Sequence, residues 1–158
     1  MERVEPTEPV DVSGLTELVD VVGPTEPVAV VGPTEPAAVV REFWVRMQAR
    51  DWEGLGALLA DDLVVEWPVS AERIEGRANF VGVNAEYPEG WSIEVIRIVA
   101  EGATVVSEVE VPHETMGVHR ALSLWTVRDG RITGGREYWT EPGSDPSPQW
   151  RASFVRPL

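Results

Sequence analysis

The chain has 158 residues, seven of them Trp, and a formal net charge of −14. So acidic a balance excludes the basic footprint that nucleic acid requires and argues against anionic membrane surfaces. There is no cysteine and no lysine, all thirteen basic residues being Arg, which rules out disulfides, thiolate metal sites and lysine Schiff bases.

No apolar run approaches the roughly 18 residues of a membrane span. The N-terminus shows no basic segment followed by an apolar one, so a cytoplasmic protein is expected. Hydrophobic residues at 43% suffice for the core of one domain.

Residues 5–40 carry a nine-residue repeat in four copies, with Thr and Glu at fixed places. Residues 1–36 hold eight acids against Arg3 alone. Two prolines in three of the four copies oppose regular strands. Two readings of residues 1–33 stay open. They form a mobile acidic arm, or short elements that dock on the domain or on a partner chain. The last copy leads into the domain proper, residues 34–158. There Thr34 can cap a helix, Glu35 suits its dipole and Pro36 fits its first turn.

Val39, Val40, Phe43, Trp44 and Met47 recur at helical spacing and predict an amphipathic first helix. Asp51 can cap a second helix over 52–60, weakened by Gly54 and Gly56. A short strand over 63–67 stops at Pro68. Residues 76–85 read as a third helix. Strand-like runs follow at 92–100, 104–111, 119–128 and 132–140. Asp129-Gly130, between the last two, is a strong two-residue hairpin signal. Helices first and a strand meander afterwards predict an α+β fold, with helices on one face of an antiparallel sheet. Trp150 and Phe154, in a tail otherwise rich in Pro, Gly and Ser, are expected to dock on the domain.

Alternation puts Glu137 and Trp139 on one face of the last strand, with Arg136, Tyr138 and Thr140 on the other. If the first face is inward, Glu137 is a carboxylate among aromatics, with a raised pKa suited to acid/base work. If it is outward, Glu137 pairs with Arg. Glu108 and Glu110 share a face opposite Val105, Val109 and Val111, as solvated residues or as a polar cavity wall. His119 shares a face with Ala121, Ser123, Trp125 and Val127, where it serves as a partner of Glu137 or as a rim histidine. His113 is assigned to a loop. Neither histidine sits in a known metal-ligand spacing, so no metal is expected. Phe43, Met47, Trp67, Trp125 and Trp139 form an aromatic wall, either core or the lining of a ligand pocket.

Two segments carry a family resemblance: Leu59-Ala-Asp-Asp-Leu-Val-Val-Glu-Trp-Pro68 and Asp129-Gly-Arg-Ile-Thr-Gly-Gly-Arg-Glu-Tyr-Trp-Thr140. Over residues 37–140 the chain resembles the SnoaL-like branch of the nuclear transport factor 2-like superfamily. That branch is similar to polyketide cyclases, ketosteroid isomerases and limonene epoxide hydrolases. The resemblance implies a cone-shaped curved antiparallel sheet wrapped around N-terminal helices. The general base of the isomerases falls on Trp67, their carbonyl-polarising tyrosine on Phe43, and their second acid near Ser123, so that mechanism is not expected. The two carboxylates of the epoxide hydrolases fall on Glu137 and Glu110. The arginine between those carboxylates becomes Glu108, and the water-holding tyrosine and asparagine become Val65 and Trp67.

The reading is a cofactor-independent acid/base enzyme (hydrolase, cyclase or isomerase) acting on a small hydrophobic molecule. Glu137 acts with Glu110 or His119, and Phe43, Met47, Trp67, Ser123, Trp125 and Trp139 line the pocket. Its rivals are a binding protein for an apolar ligand and a dimeric interaction module that uses the repeat arm. Apolar Leu122 and Leu124 on the outer sheet face imply a homodimer.

Overall fold

The computed structural model of the protein describes residues 33–143 and 147–157. The repeat arm, apart from Pro33, lies outside the described residues. In chain order the elements are α1 (Pro36–Ala49), α2 (Trp52–Ala57), β1 (Leu59–Trp67), β2 (Glu72–Glu75), α3 (Arg77–Ala85), β3 (Glu94–Glu101), β4 (Thr104–His113), β5 (Gly117–Arg128) and β6 (Arg131–Thr140). A short 3-10 turn over Gln149–Arg151 follows.

The fold is α+β, as expected: one open, curved sheet of six strands in the order β2-β1-β6-β5-β4-β3, with α1 packed against its inner face. All pairs are antiparallel except β1 with β6, which run parallel. The helical stripe read from sequence is the buried face of α1. Val39, Val40 and Phe43 are fully buried, and Trp44 and Met47 nearly so. Burying each such side chain contributes roughly 1.5–3 kcal/mol. Phe43 lies 4.8 Å from Trp44 and 5.0 Å from Trp125 of β5, ring centre to ring centre, so aromatic contacts tie the helix to the sheet.

The ends of elements differ from the sequence reading in physical detail. Glu35, not Thr34, caps α1. Its backbone is extended, and its carboxylate accepts from the N–H groups of Ala37 at 3.3 Å and Ala38 at 2.9 Å. Asp51 caps α2 as expected, accepting from Gly54 N at 2.9 Å. That helix ends at Ala57 because the chain already enters β1 at Leu59, where Ile132 N donates to Leu58 O at 2.8 Å. The short polar strand β2 was not anticipated. The Asp129-Gly130 turn forms as read: φ is +50° and +72°, and Arg128 pairs with Arg131 across it. Trp150 and Phe154 do not dock, being 75% and 83% exposed.

No helix among the described residues is long and apolar enough to cross a membrane.

Candidate active site

A cavity of about 350 Å³ lies beneath the concave face of the sheet. Phe43, Trp44 and Met47 of α1 form one wall, and Phe80, Val83 and Asn84 of α3 another. Tyr87, Trp91 and Ile93 continue the lining after α3, and Trp67, Val69 and Ser70 supply the end of β1 and the loop beyond it. From the sheet come Val111, His119, Glu137 and Trp139. The lining is overwhelmingly apolar with a few polar groups, the usual character of a small-molecule site.

Trp91 is held in place by chemistry at the end of α1. Arg50 closes that helix in the left-handed conformation, with φ +57°. Its guanidinium lies 3.4 Å from the centre of the Trp91 ring and donates to Trp91 O at 2.8 Å. Glu89 accepts from the same guanidinium at 2.9 Å. His113 braces the neighbouring loop. Its Nδ1 accepts from the N–H groups of Thr115 at 3.1 Å and Met116 at 3.2 Å. This places the proton on Nε2, which faces Pro88 O at 3.2 Å. His113 therefore has a structural role in the turn, at the end of β4.

Glu137 is the chemically distinctive side chain. The alternation of β6 turns it inward, and it is only 2% exposed. Trp67 Nε1 donates to its Oε2 at 2.9 Å, and Ser123 Oγ donates to its Oε1 at 3.0 Å. Burial pushes the carboxyl above the ordinary carboxylate range, while the donors Trp67 and Ser123 pull it back. Trp139 acts in the same downward direction, although its Nε1 lies outside hydrogen-bonding geometry. No positively charged group contributes.

The other residues singled out in the sequence divide between the cavity and its surroundings. Phe43, Met47, Trp67, Trp139 and His119 line the cavity. Ser123 and Trp125 face inward but lie beneath the lining, fully packed, and this corrects their assignment to the pocket wall. Ser123 supports Glu137 from behind, and Trp125 Nε1 donates to Ser107 Oγ at 3.0 Å. Gly135 is what lets Trp125 lie flat on β6, because a Cβ there would come within 2.5 Å of its ring. Glu110 is not in the site. It projects from the outer face of β4 and pairs with Arg120, Nη2 to Oε2 at 2.7 Å. Val105, Ser107, Val109 and Val111 take the inner face, so the neighbouring glutamates must point out. Nor does His119 join Glu137. Ser123 is the residue opposite Glu137, and His119 lies four positions earlier on β5, about 13 Å away along the strand. Its Nε2 is 3.4 Å from Glu141 Oε1.

Trp44, Phe80, Asn84, Tyr87 and Trp91 were not picked out as pocket residues. The helical stripe signalled that Trp44 faces inward, but not that the space beside it is empty. No signal marked Trp91, which lies between regular elements. Among the described residues no cluster of three His, Asp or Glu is placed to hold a metal ion.

A helix inside a curved open sheet, with an aromatic cavity between them, defines a nuclear transport factor 2-like fold. The model of the SnoaL-like domain family matches residues 40–135, and the chain belongs to that family. Among solved structures it is similar to a candidate ketosteroid isomerase from Kribbella flavida, at 31% identity and a TM-score of 0.71, covering 79% of this chain and 91% of that one. An NTF-2 like protein of unknown function from Burkholderia xenovorans aligns at 25% identity and a TM-score of 0.63, over 76% and 92% of the two chains. An LEH-like epoxide hydrolase from M. tuberculosis aligns at 29% identity and a TM-score of 0.59, over 68% and 84%. No curated protein matches the chain.

Proposed function

We propose that this protein is a cofactor-independent acid/base enzyme that moves a proton on a small, mostly apolar substrate held in the cavity. Glu137 is its acid/base group. The observation that carries the reading is a carboxyl 2% exposed, on the cavity wall, raised in pKa by burial and without a cationic neighbour. Such a group donates a proton when neutral and accepts one when ionised, at pH values nearer neutrality than an exposed glutamate.

The arrangement favours one-carboxylate chemistry of the isomerase or cyclase type over two-acid hydrolysis. Glu110 is on the opposite face of the sheet, and His119 stands well along the strand from Glu137. Likeness to an isomerase candidate and to an epoxide hydrolase supports an enzyme. The second reading is a binding protein, favoured because the aromatic wall is complete without Glu137.

The test is hydrogen exchange at the α-carbon of a small cyclic ketone, indanone, deuterated there and followed by NMR. The wild type should accelerate exchange. Glu137→Gln should lose about a hundredfold or more of that acceleration, while quenching of Trp fluorescence by indanone persists. Equal exchange in both proteins would leave the binding-protein reading.

A further inference from the structure

The side chains that line the cavity pass from buried to exposed. Phe43, Phe80 and Glu137 are 2% exposed or less. Val69, Val83 and Tyr87 line the same space but are 65%, 40% and 38% exposed, which places them at its opening. They come from three stretches of chain: the turn after β1, helix α3, and the segment between α3 and β3. Scattered apolar side chains are ordinary on a protein surface. Three that converge on one opening, continuous with an apolar cavity, mark a ligand-binding surface. The Tyr87 ring is fixed there by edge contacts with Trp91 and His113, at 6.3 and 6.1 Å between ring centres.

We propose that the substrate is an uncharged compound with an alkyl chain too long for the cavity. Its reacting end lies beside Glu137, and its chain leaves through the opening across Val69, Val83 and Tyr87. This rests on the reading of the cavity as the substrate site of Glu137.

Area and charge both point this way. A compact ligand that fills the buried part leaves the three side chains at the opening in water. A chain that continues past them removes apolar surface from water, worth about fourfold in affinity for each methylene fully buried. The exposed lining residues, Val69, Ser70, Val83 and Tyr87, include no charged side chain. Polar donors beside them are engaged with the backbone: Ser70 Oγ donates to Trp67 O at 3.4 Å, and Asn84 Nδ2 donates to Phe80 O at 2.8 Å. The opening therefore offers a charged head group no counter-charge, and the net charge of −14 on the whole chain repels an anion.

Length follows from volume. A cavity of about 150 Å³ holds one benzene ring, so this one, at about 350 Å³, takes about 14 non-hydrogen atoms. An indanone carrying a butyl chain on its benzene ring is of that size. The same ketone with an octyl chain exceeds it and must cross the opening.

The experiment measures binding of butylindanone and octylindanone to the full-length protein by calorimetry. Octylindanone should bind wild type at least about tenfold more tightly, because Val69, Val83 and Tyr87 cover its outer methylenes on one side. In the double variant Val69→Ser, Val83→Ser that ratio should fall to about threefold or less, whatever affinity the two ketones lose in common. Equal affinity of the two ketones for wild type, or weaker binding of the octyl compound, would overturn the proposal, and that comparison needs no variant. A ratio that survives in the double variant would overturn it too, since the chain would then be bound elsewhere. Butylindanone tests the cavity by itself. If it fails to bind, the substrate-site reading falls together with the proposal, whereas butylindanone binding with no gain from the octyl chain rejects the long-chain substrate alone. Binding alone is read, so failure here is distinct from loss of proton exchange at Glu137.

Discussion

Glu137 couples function to stability through one proton. Its folded-state pKa is raised above the unfolded value, so the folded chain holds the proton more tightly. Stability therefore falls as pH rises from the unfolded pKa, about 4.3, through the raised folded one. Glu137→Gln should melt at a higher temperature than wild type near pH 8, with the gap closing as pH falls to about 4; thermal denaturation across pH checks this. C–H abstraction needs the ionised form, so proton exchange should rise with pH through the same raised pKa. Trp67→Phe removes a donor that favours the ionised form, so the midpoint of that profile should move to higher pH. Part of this was legible in the sequence: the alternation of Arg136, Glu137, Tyr138 and Trp139 put the carboxylate and Trp139 on one face, but it did not say whether that face was inward. Alternation in β4 set Glu108 and Glu110 opposite Val105, Val109 and Val111 without saying which face was inward, and the family resemblance drew Glu110 into the site. Ser123 and Trp125 were assigned to the pocket lining, but periodicity does not say whether a side chain ends at a cavity or beneath its wall.

Among the elements, β6 matters most, because it joins the site to the core. Gly135→Ala would drive a methyl group into Trp125, which in turn packs on Phe43 of α1. Overpacking of this kind costs about 1–3 kcal/mol, measurable by urea denaturation. Glu35→Ala removes the carboxylate that accepts from Ala37 and Ala38, and should cost about 0.5–2 kcal/mol by the same measurement. Local chemistry made α1, the Asp129-Gly130 turn and the β4–β5–β6 meander readable, because each is specified by residues near in sequence. The parallel pairing of β1 with β6 joins segments some seventy residues apart, and no local pattern encodes it. Strand β2 is short, charged and exposed, so it lacks the apolar alternation that reveals a strand.

At the scale of the whole molecule, the outer sheet face leaves Leu122 46% and Leu124 40% exposed, beside the partly exposed Tyr138. Such a patch rimmed by ion pairs, Glu110–Arg120 and Glu66–Arg136, suits a self-complementary interface. A homodimer is therefore expected, and sedimentation at micromolar concentration should give twice the 17.4 kDa chain mass. Leu124→Arg should shift it to the monomer. The central claim, however, concerns one buried carboxyl in a ligand cavity. Its most direct test is a carbon-13 NMR titration of the Glu137 side-chain carboxyl, assigned by its loss in Glu137→Gln, with and without indanone. The account predicts a midpoint above the ordinary glutamate value and a resonance that moves when indanone binds. A midpoint at or below that value, or a resonance that indanone binding leaves unmoved, would contradict it.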